Sequence, residues 1–129
     1  MPYNILVIDD DKATADSLAD ILRLLNHHVS VAYGPRNAFA QLSESTPDIV
    51  FVDTNMPGVD GLEVCRYMRR DPQTANTPIV SFSADGEKAH QDAAFMAGSN
   101  YYIVKPVMLE DCEVALGFIE TMLSATHHG

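Results

Sequence analysis

Residues 49–53 read Ile49-Val50-Phe51-Val52-Asp53, four consecutive apolar side chains closed by an acid. The run is too short for a helix, and its β-branched and aromatic character suits a strand. Its apolar residues follow one another instead of alternating. Both faces of such a strand need cover, which is the condition inside a parallel sheet. Three other runs share this form: Ile5-Leu6-Val7-Ile8, Ile79-Val80 leading to Phe82, and Tyr101-Tyr102-Ile103-Val104. A fifth segment, His28-Val29-Ser30-Val31-Ala32-Tyr33, alternates and predicts a half-exposed edge strand.

Helical patterns fill the intervals. Leu18, Ile21, Leu22 and Leu25 recur at helical spacing after Asp11, and Ala38, Phe39 and Leu42 after Pro35. Leu62, Cys65 and Met68 follow Gly61, Ala89, Ala93 and Met96 precede Gly98, and Leu109, Cys112, Leu116, Ile119 and Leu123 form the longest stripe. Asp60-Gly61-Leu62-Glu63 has the spacing of a capped helix start, and Gly98 suits a helix stop. Gly34-Pro35, Pro57-Gly58 and Asp85-Gly86 mark loops. Strand then helix, five times over, predicts an α/β domain that is doubly wound with right-handed crossovers. The methionines at helical spacing are expected to fill the core. His27 and His28 are expected to face solvent, and residues from Ser124 onward to fray.

The chain has 129 residues, 47% apolar and 20% charged, the balance of one globular domain. Residues 1–129 are read as a single domain with its core at about 4–123 and no output domain after it. No apolar run approaches the roughly 18 residues of a membrane span, and no leader opens the chain, so a cytoplasmic location without membrane contact is expected. A formal charge of −10 argues against direct nucleic-acid binding. Cys65 and Cys112 form no CxxC pair and are expected to be buried free thiols.

The strand ends carry the chemistry. Asp9, Asp10 and Asp11 follow the first strand, Asp53 ends the third, Ser83 follows the fourth, and Lys105-Pro106 follows the fifth. In open α/β sheets, ligands bind beyond the carboxyl ends of the strands, where strand order reverses. Carboxylates brought within about 4 Å repel by on the order of 4 kcal/mol per pair at an effective dielectric near 20, so such a group calls for a cation. Oxygen donors without nearby His or Cys favour a hard ion such as Mg²⁺. Lys105 adds a second, fixed positive charge.

With these pieces the chain resembles the receiver domain of bacterial response regulators. The matching segments are Ile5-Leu6-Val7-Ile8-Asp9-Asp10-Asp11, Asp53-Thr54-Asn55-Met56-Pro57-Gly58-Val59-Asp60-Gly61, Ser83-Ala84 and Lys105-Pro106, over about Asn4 to Leu123. The resemblance implies a flavodoxin-like (βα)5 sandwich with a five-stranded parallel sheet in the order 2-1-3-4-5. It implies that Asp53 accepts a phosphoryl group from a histidine kinase or phosphotransfer protein. Mg²⁺, or Mn²⁺ in its place, would be held by Asp10, by Asp9 mainly through water, by Asp53 and by the backbone carbonyl of Asn55. Lys105, the Ser83 hydroxyl and the Ala84 amide would hold phosphoryl oxygens, with Lys105-Pro106 cis.

The resemblance also implies a switch. Ser83 turns toward the phosphoryl group, Tyr102 turns inward, and the surface of the fourth helix, fifth strand and fifth helix changes for a downstream protein. The protein would act as a monomer or a phosphorylation-dependent dimer, and would catalyse only its own phosphorylation and slow dephosphorylation. Two rivals stay open at this stage. Asp9-Asp10-Asp11 has the Asp-x-Asp form of haloacid-dehalogenase-like phosphatases, with Asp9 as nucleophile and Asp11 as acid, although Ala13 stands where those enzymes usually carry Thr or Val. The other rival is an interaction module that has kept the fold and lost the regulation.

Overall fold

A computed structural model describes residues 2–56 and 60–127, with side chains through residue 125. The expected Pro57-Gly58 loop and the last two residues of the expected frayed tail lie outside the described residues. The strands are β1 (Asn4–Ile8), β2 (His28–Ala32), β3 (Ile49–Asp53), β4 (Ile79–Ser83) and β5 (Tyr101–Val104). The helices are α1 (Lys12–Leu24), α2 (Pro35–Glu44), α3 (Gly61–Arg70), α4 (Lys88–Ala97) and α5 (Leu109–His127). All strand pairs are parallel, in the order β2-β1-β3-β4-β5.

Successive side chains of a strand point to opposite faces, which explains the unbroken apolar runs. Ile5 and Val7 of β1, Ile49 and Phe51 of β3, and Val80 and Phe82 of β4 pack with Leu18 and Leu22 of α1 and with Cys112, Ala115 and Ile119 of α5. Leu6, Ile8, Val50, Val52 and Ile79 point the other way, onto Leu42 of α2, Val64, Cys65 and Met68 of α3, and Ala94 and Ala97 of α4. β3 and β4 are buried along their whole lengths. Each side chain the size of Phe51 or Phe82 removed from water contributes roughly 2–3 kcal/mol. Both cysteines are free and buried, as expected.

Several expectations need correction. β5 is not covered on both faces: Tyr101 and Tyr102 are only partly buried and Val104 is 43% exposed, at the sheet edge that the 2-1-3-4-5 order implies. α5 continues to His127 instead of fraying at Ser124, because Met122 and Leu123 still pack against the core and no breaker follows them. Met96 is exposed and fills no core, since α4 turns Ala94 and Ala97 toward the sheet. His27 is partly buried, where its Nδ1 accepts the Tyr3 N–H at 3.0 Å and its ring stacks on Tyr3.

Two close approaches set loops at opposite ends of the sheet, the first at its carboxyl end and the second before β4 and β5. The Asp60 carboxylate accepts the Leu62 N–H at 2.8 Å and starts α3. A Cβ on Gly61 would stand 2.1 Å from the Asp53 carbonyl oxygen, so only glycine lets α3 begin against the end of β3. At the other end of α3, Arg69 donates to the carbonyls of Thr74, Ala75, Thr77 and Gly98 and to Asn100 Oδ1, at 2.8–3.2 Å. Gly98 ends α4 with φ +118°, and a Cβ there would meet Arg69 Cγ at 2.5 Å.

Candidate functional site

Strand register decides which side chains meet. Ile8 is level with Val52, so Asp9 and Asp53, each one residue further on, end neighbouring strands side by side. Asp53 is level with Phe82, and Ser83 with Val104, so Ser83 lies one step further along β4 and Lys105 two steps further, just past the end of β5. The gap between β1 and β3 is where the strand order reverses.

One carboxylate oxygen from each of Asp9, Asp10 and Asp53 lies within 4.8 Å of the other two. Asp9 and Asp53 are buried, and Asp10 is exposed. Asp9 Oδ1 accepts the Asp11 N–H at 3.0 Å, and Asp53 Oδ1 accepts the Asn55 N–H at 2.9 Å. Lys105 Nζ donates to Asp53 Oδ2 at 3.0 Å and stands 3.5 Å from Asp9 Oδ2. The same ammonium lies 5.4 Å from the centre of the Phe82 ring, a favourable seat for a cation. The Lys105-Pro106 bond is cis, as expected.

Three carboxylates face one ammonium. Burial, with the Asp53 charge beside it, lifts the Asp9 carboxyl to about 6, although the Asp11 N–H and Lys105 oppose the rise. Burial alone would lower the Lys105 pKa. The hydrogen bond and charge of Asp53, joined by Asp9, outweigh that and hold it above its ordinary value. The excess of anionic oxygens, with neither His nor Cys among the donors, fits a hard divalent cation.

The remaining candidates sit around this group. Ser83 is fully buried, and its Oγ accepts the Asp85 N–H at 3.1 Å. Asn55 and Ala84 are exposed on the loops after β3 and β4. Tyr102 stands apart from the carboxylates, with its hydroxyl donating to the Asp85 carbonyl at 2.7 Å. The Asp11 carboxylate accepts the Thr14 hydroxyl at 2.5 Å and is not one of the three clustered acids. Thr54 and His90, which sequence reasoning passed over, meet here: Thr54 Oγ1 is 3.0 Å from His90 Nε2. They are 36 residues apart, and no spacing signals the pair.

The model of the response regulator receiver domain matches residues 5–116. The chain belongs to that family. This receiver domain is 37% identical over 111 residues to the response regulator MprA of Mycolicibacterium vanbaalenii, covering 86% of the chain and 47% of the relative. It is 32% identical over 122 residues to RpaA of Synechocystis, a DNA-binding dual master transcriptional regulator, covering 95% of the chain and 49% of the relative. The chain thus spans about half the length of these curated relatives. The crystal structure of the signal receiver domain of a DNA-binding response regulator from Colwellia psychrerythraea superposes with a TM-score of 0.84 at 27% identity, covering 92% of this chain and 98% of that one.

Receiver domains of response regulators are two-component signalling proteins and not enzymes in the ordinary sense. Among the described residues, no helix is long and apolar enough to cross a membrane. Because relatives such as RpaA bind DNA, the charge argument against nucleic acid bears on the receiver domain and not on a whole regulator.

Proposed function

We propose that this receiver domain accepts a phosphoryl group on Asp53 from a phosphohistidine donor. The observation that carries the reading is the meeting of Asp9, Asp10 and Asp53 within 4.8 Å, with Lys105 Nζ 3.0 Å from Asp53. Phosphoryl transfer asks for alignment and charge neutralisation more than for covalent work by the protein. Asp53 is held by the Asn55 N–H and the Lys105 ammonium at a strand end, which suits a fixed line of attack. A divalent cation held by Asp9, Asp10, Asp53 and the Asn55 carbonyl would neutralise charge on the phosphoryl oxygens. Mg²⁺ suits that donor set, and Mn²⁺ can replace it.

In this reading Lys105 moves its hydrogen bond from Asp53 to a phosphoryl oxygen, and the Ser83 hydroxyl and Ala84 amide hold others. The Ser83 Oγ then releases the Asp85 N–H, and the loop carrying the Tyr102 contact is freed to shift. The output is a change in the α4–β5–α5 face, where Met96, Val104 and Phe118 are exposed. Its reader is a downstream protein, or a second copy in a phosphorylation-dependent dimer, in the cytoplasm. Residues 1–129 act as one receiver domain.

Incubation with acetyl phosphate and Mg²⁺, followed by peptide mass spectrometry, tests the reading. Label on Asp53 that disappears with a chelator is expected. Label elsewhere, or none, removes Asp53 from this role.

A further inference from the structure

Beside the Asp53 crevice lies a chain of polar contacts that phosphoryl transfer does not use. Thr54 follows Asp53 directly, is 3% exposed, and its N–H bonds the Phe82 carbonyl at 3.1 Å. Its hydroxyl meets Nε2 of His90, in the first turn of α4, at 3.0 Å. The other ring nitrogen, Nδ1, is 3.7 Å from Asp85 Oδ2. An Nδ1–H turned toward that carboxylate leaves Nε2 as acceptor of the Thr54 hydroxyl, so one tautomer serves both contacts. Asp85 is also the residue whose N–H bonds Ser83 Oγ and whose carbonyl accepts the Tyr102 hydroxyl. The Tyr102 ring stands edge-on to His90, with centroids 6.1 Å apart. His90 therefore touches the residue after the phosphoacceptor, the loop after Ser83 and the ring expected to turn.

The other hydrogen bonds at the start of α4 are local and do not reach the sheet: Asp85 Oδ1 accepts the Glu87 N–H at 2.9 Å, and Gln91 Nε2 donates to the Gly86 carbonyl at 3.0 Å. The fully buried residues of α4 are two alanines, Ala94 and Ala97, and its N-cap Glu87 makes no side-chain capping bond. Phe95 and Met96 point outward. With so slender an apolar anchor, a polar tie to the central strand has leverage over where the helix sits. A buried hydroxyl left without a partner costs free energy, so the Thr54 bond favours the resting position of α4.

We propose that His90 is a positioning residue that latches α4 to the phosphoacceptor strand in the resting protein, and that the Thr54–His90 bond is given up when α4 moves on phosphorylation. The release half rests on Asp53 being the phosphoacceptor; the latch half does not. It places a control point for the resting state in a pair of side chains outside the metal and phosphoryl ligands.

The test compares amide NMR spectra of the full chain as wild type, His90→Ala, Thr54→Val, the double variant and His90→Gln, with and without beryllofluoride and Mg²⁺. Without the mimic, His90→Ala is expected to shift α4 and β5 amides along the line from free toward beryllofluoride-bound wild type. Thr54→Val should move them the same way, and the double variant no further than the larger single. Gln presents an amide at the ring-nitrogen position, so His90→Gln should return the amides toward wild type. Acetyl phosphate labelling of Asp53 should persist in His90→Ala. Resting spectra of His90→Ala that match wild type in α4 and β5, shifts off that line, or additive effects of the two substitutions overturn the latch. If beryllofluoride leaves wild type unchanged, the Asp53 reading is what fails. The equivalence of the two substitutions and the Gln rescue then still decide the latch in the resting protein.

Discussion

Lys105 and Arg69 are both partly buried cations that join loops at the rim of the sheet, and they meet opposite surroundings. Arg69 finds four carbonyls and the Asn100 side-chain oxygen, all neutral. Burial lowers its pKa, with no carboxylate among the opposing causes. Lys105 finds Asp53 and Asp9, with Asp10 beside them, and its pKa is raised. The first cation is fully satisfied by the fold and ties α3 to the turns before β4 and β5. The second is outnumbered, leaving anionic oxygens that the fold itself does not neutralise. A balanced cation acts as a strut, whereas an outnumbered one marks a place where a ligand completes the charge.

The sharpest way to break this contrast is at the acceptor. Asp53→Asn keeps the shape and removes the nucleophile, so acetyl phosphate labelling should vanish completely by mass spectrometry while the folded circular dichroism spectrum stays. Label that survives there would detach the crowded carboxylates from the reaction.

At the strut the loss should be one of stability. Arg69→Met takes the donor from five acceptors. Asn100 Oδ1 keeps the Ile79 N–H and the Thr74 carbonyl keeps the Thr77 N–H, which leaves the carbonyls of Ala75, Thr77 and Gly98 at a cost of about 1 kcal/mol each before water recovers some of it. Urea unfolding should show a loss of about 3 kcal/mol, with labelling of the folded fraction little changed. A stable Arg69→Met protein that labels poorly would reverse the assignment.

Lys105→Met should behave the other way. Removing a fixed charge aimed at the transferring group should slow labelling by on the order of a hundredfold, read as initial rate, with a smaller change in stability.

The smallest effect concerns pH. The Asp9 carboxyl is raised in the folded, metal-free protein to about 6, by burial and then by Asp53, while the unfolded chain has its ordinary value. Between these values the folded state holds a proton that the unfolded state has released. The associated stabilisation is present below about pH 4 and is lost as pH rises through about 6. In chelator, the thermal midpoint of wild type relative to Asp9→Asn should therefore fall by a few degrees over this range. Mg²⁺ should oppose the fall, because it favours the ionised carboxyl. A flat difference would mean that Asp9 is not under charge stress.

Much of the fold could be read along the chain. Ile49–Asp53 and the other apolar runs announced strands covered on both faces, and Asp60, Gly61 and Gly98 marked helix limits correctly. The acids, Ser83 and Lys105 were found because each sits at the end of a strand, a position visible locally. The partial cover of β5 was not visible, because a short apolar run looks the same whether or not both of its faces are packed. Nor was the outward turn of Met96, which depends on how α4 is rotated. Thr54–His90 and the Arg69 contacts to Gly98 and Asn100 link residues 29–36 positions apart, and no local pattern encodes such pairs.

Side-chain chemistry and periodicity were enough to specify alternating strands and helices, and to leave acids, a hydroxyl and an ammonium at the strand ends, since both follow from neighbours in the chain. Sheet order entered through family resemblance alone. That Asp9 lies beside Asp53, that a single ammonium reaches both, and that a histidine of α4 rests on Thr54 were settled by non-local pairing. Parallel register and helix rotation are fixed by packing the two faces together, and no segment carries that information alone.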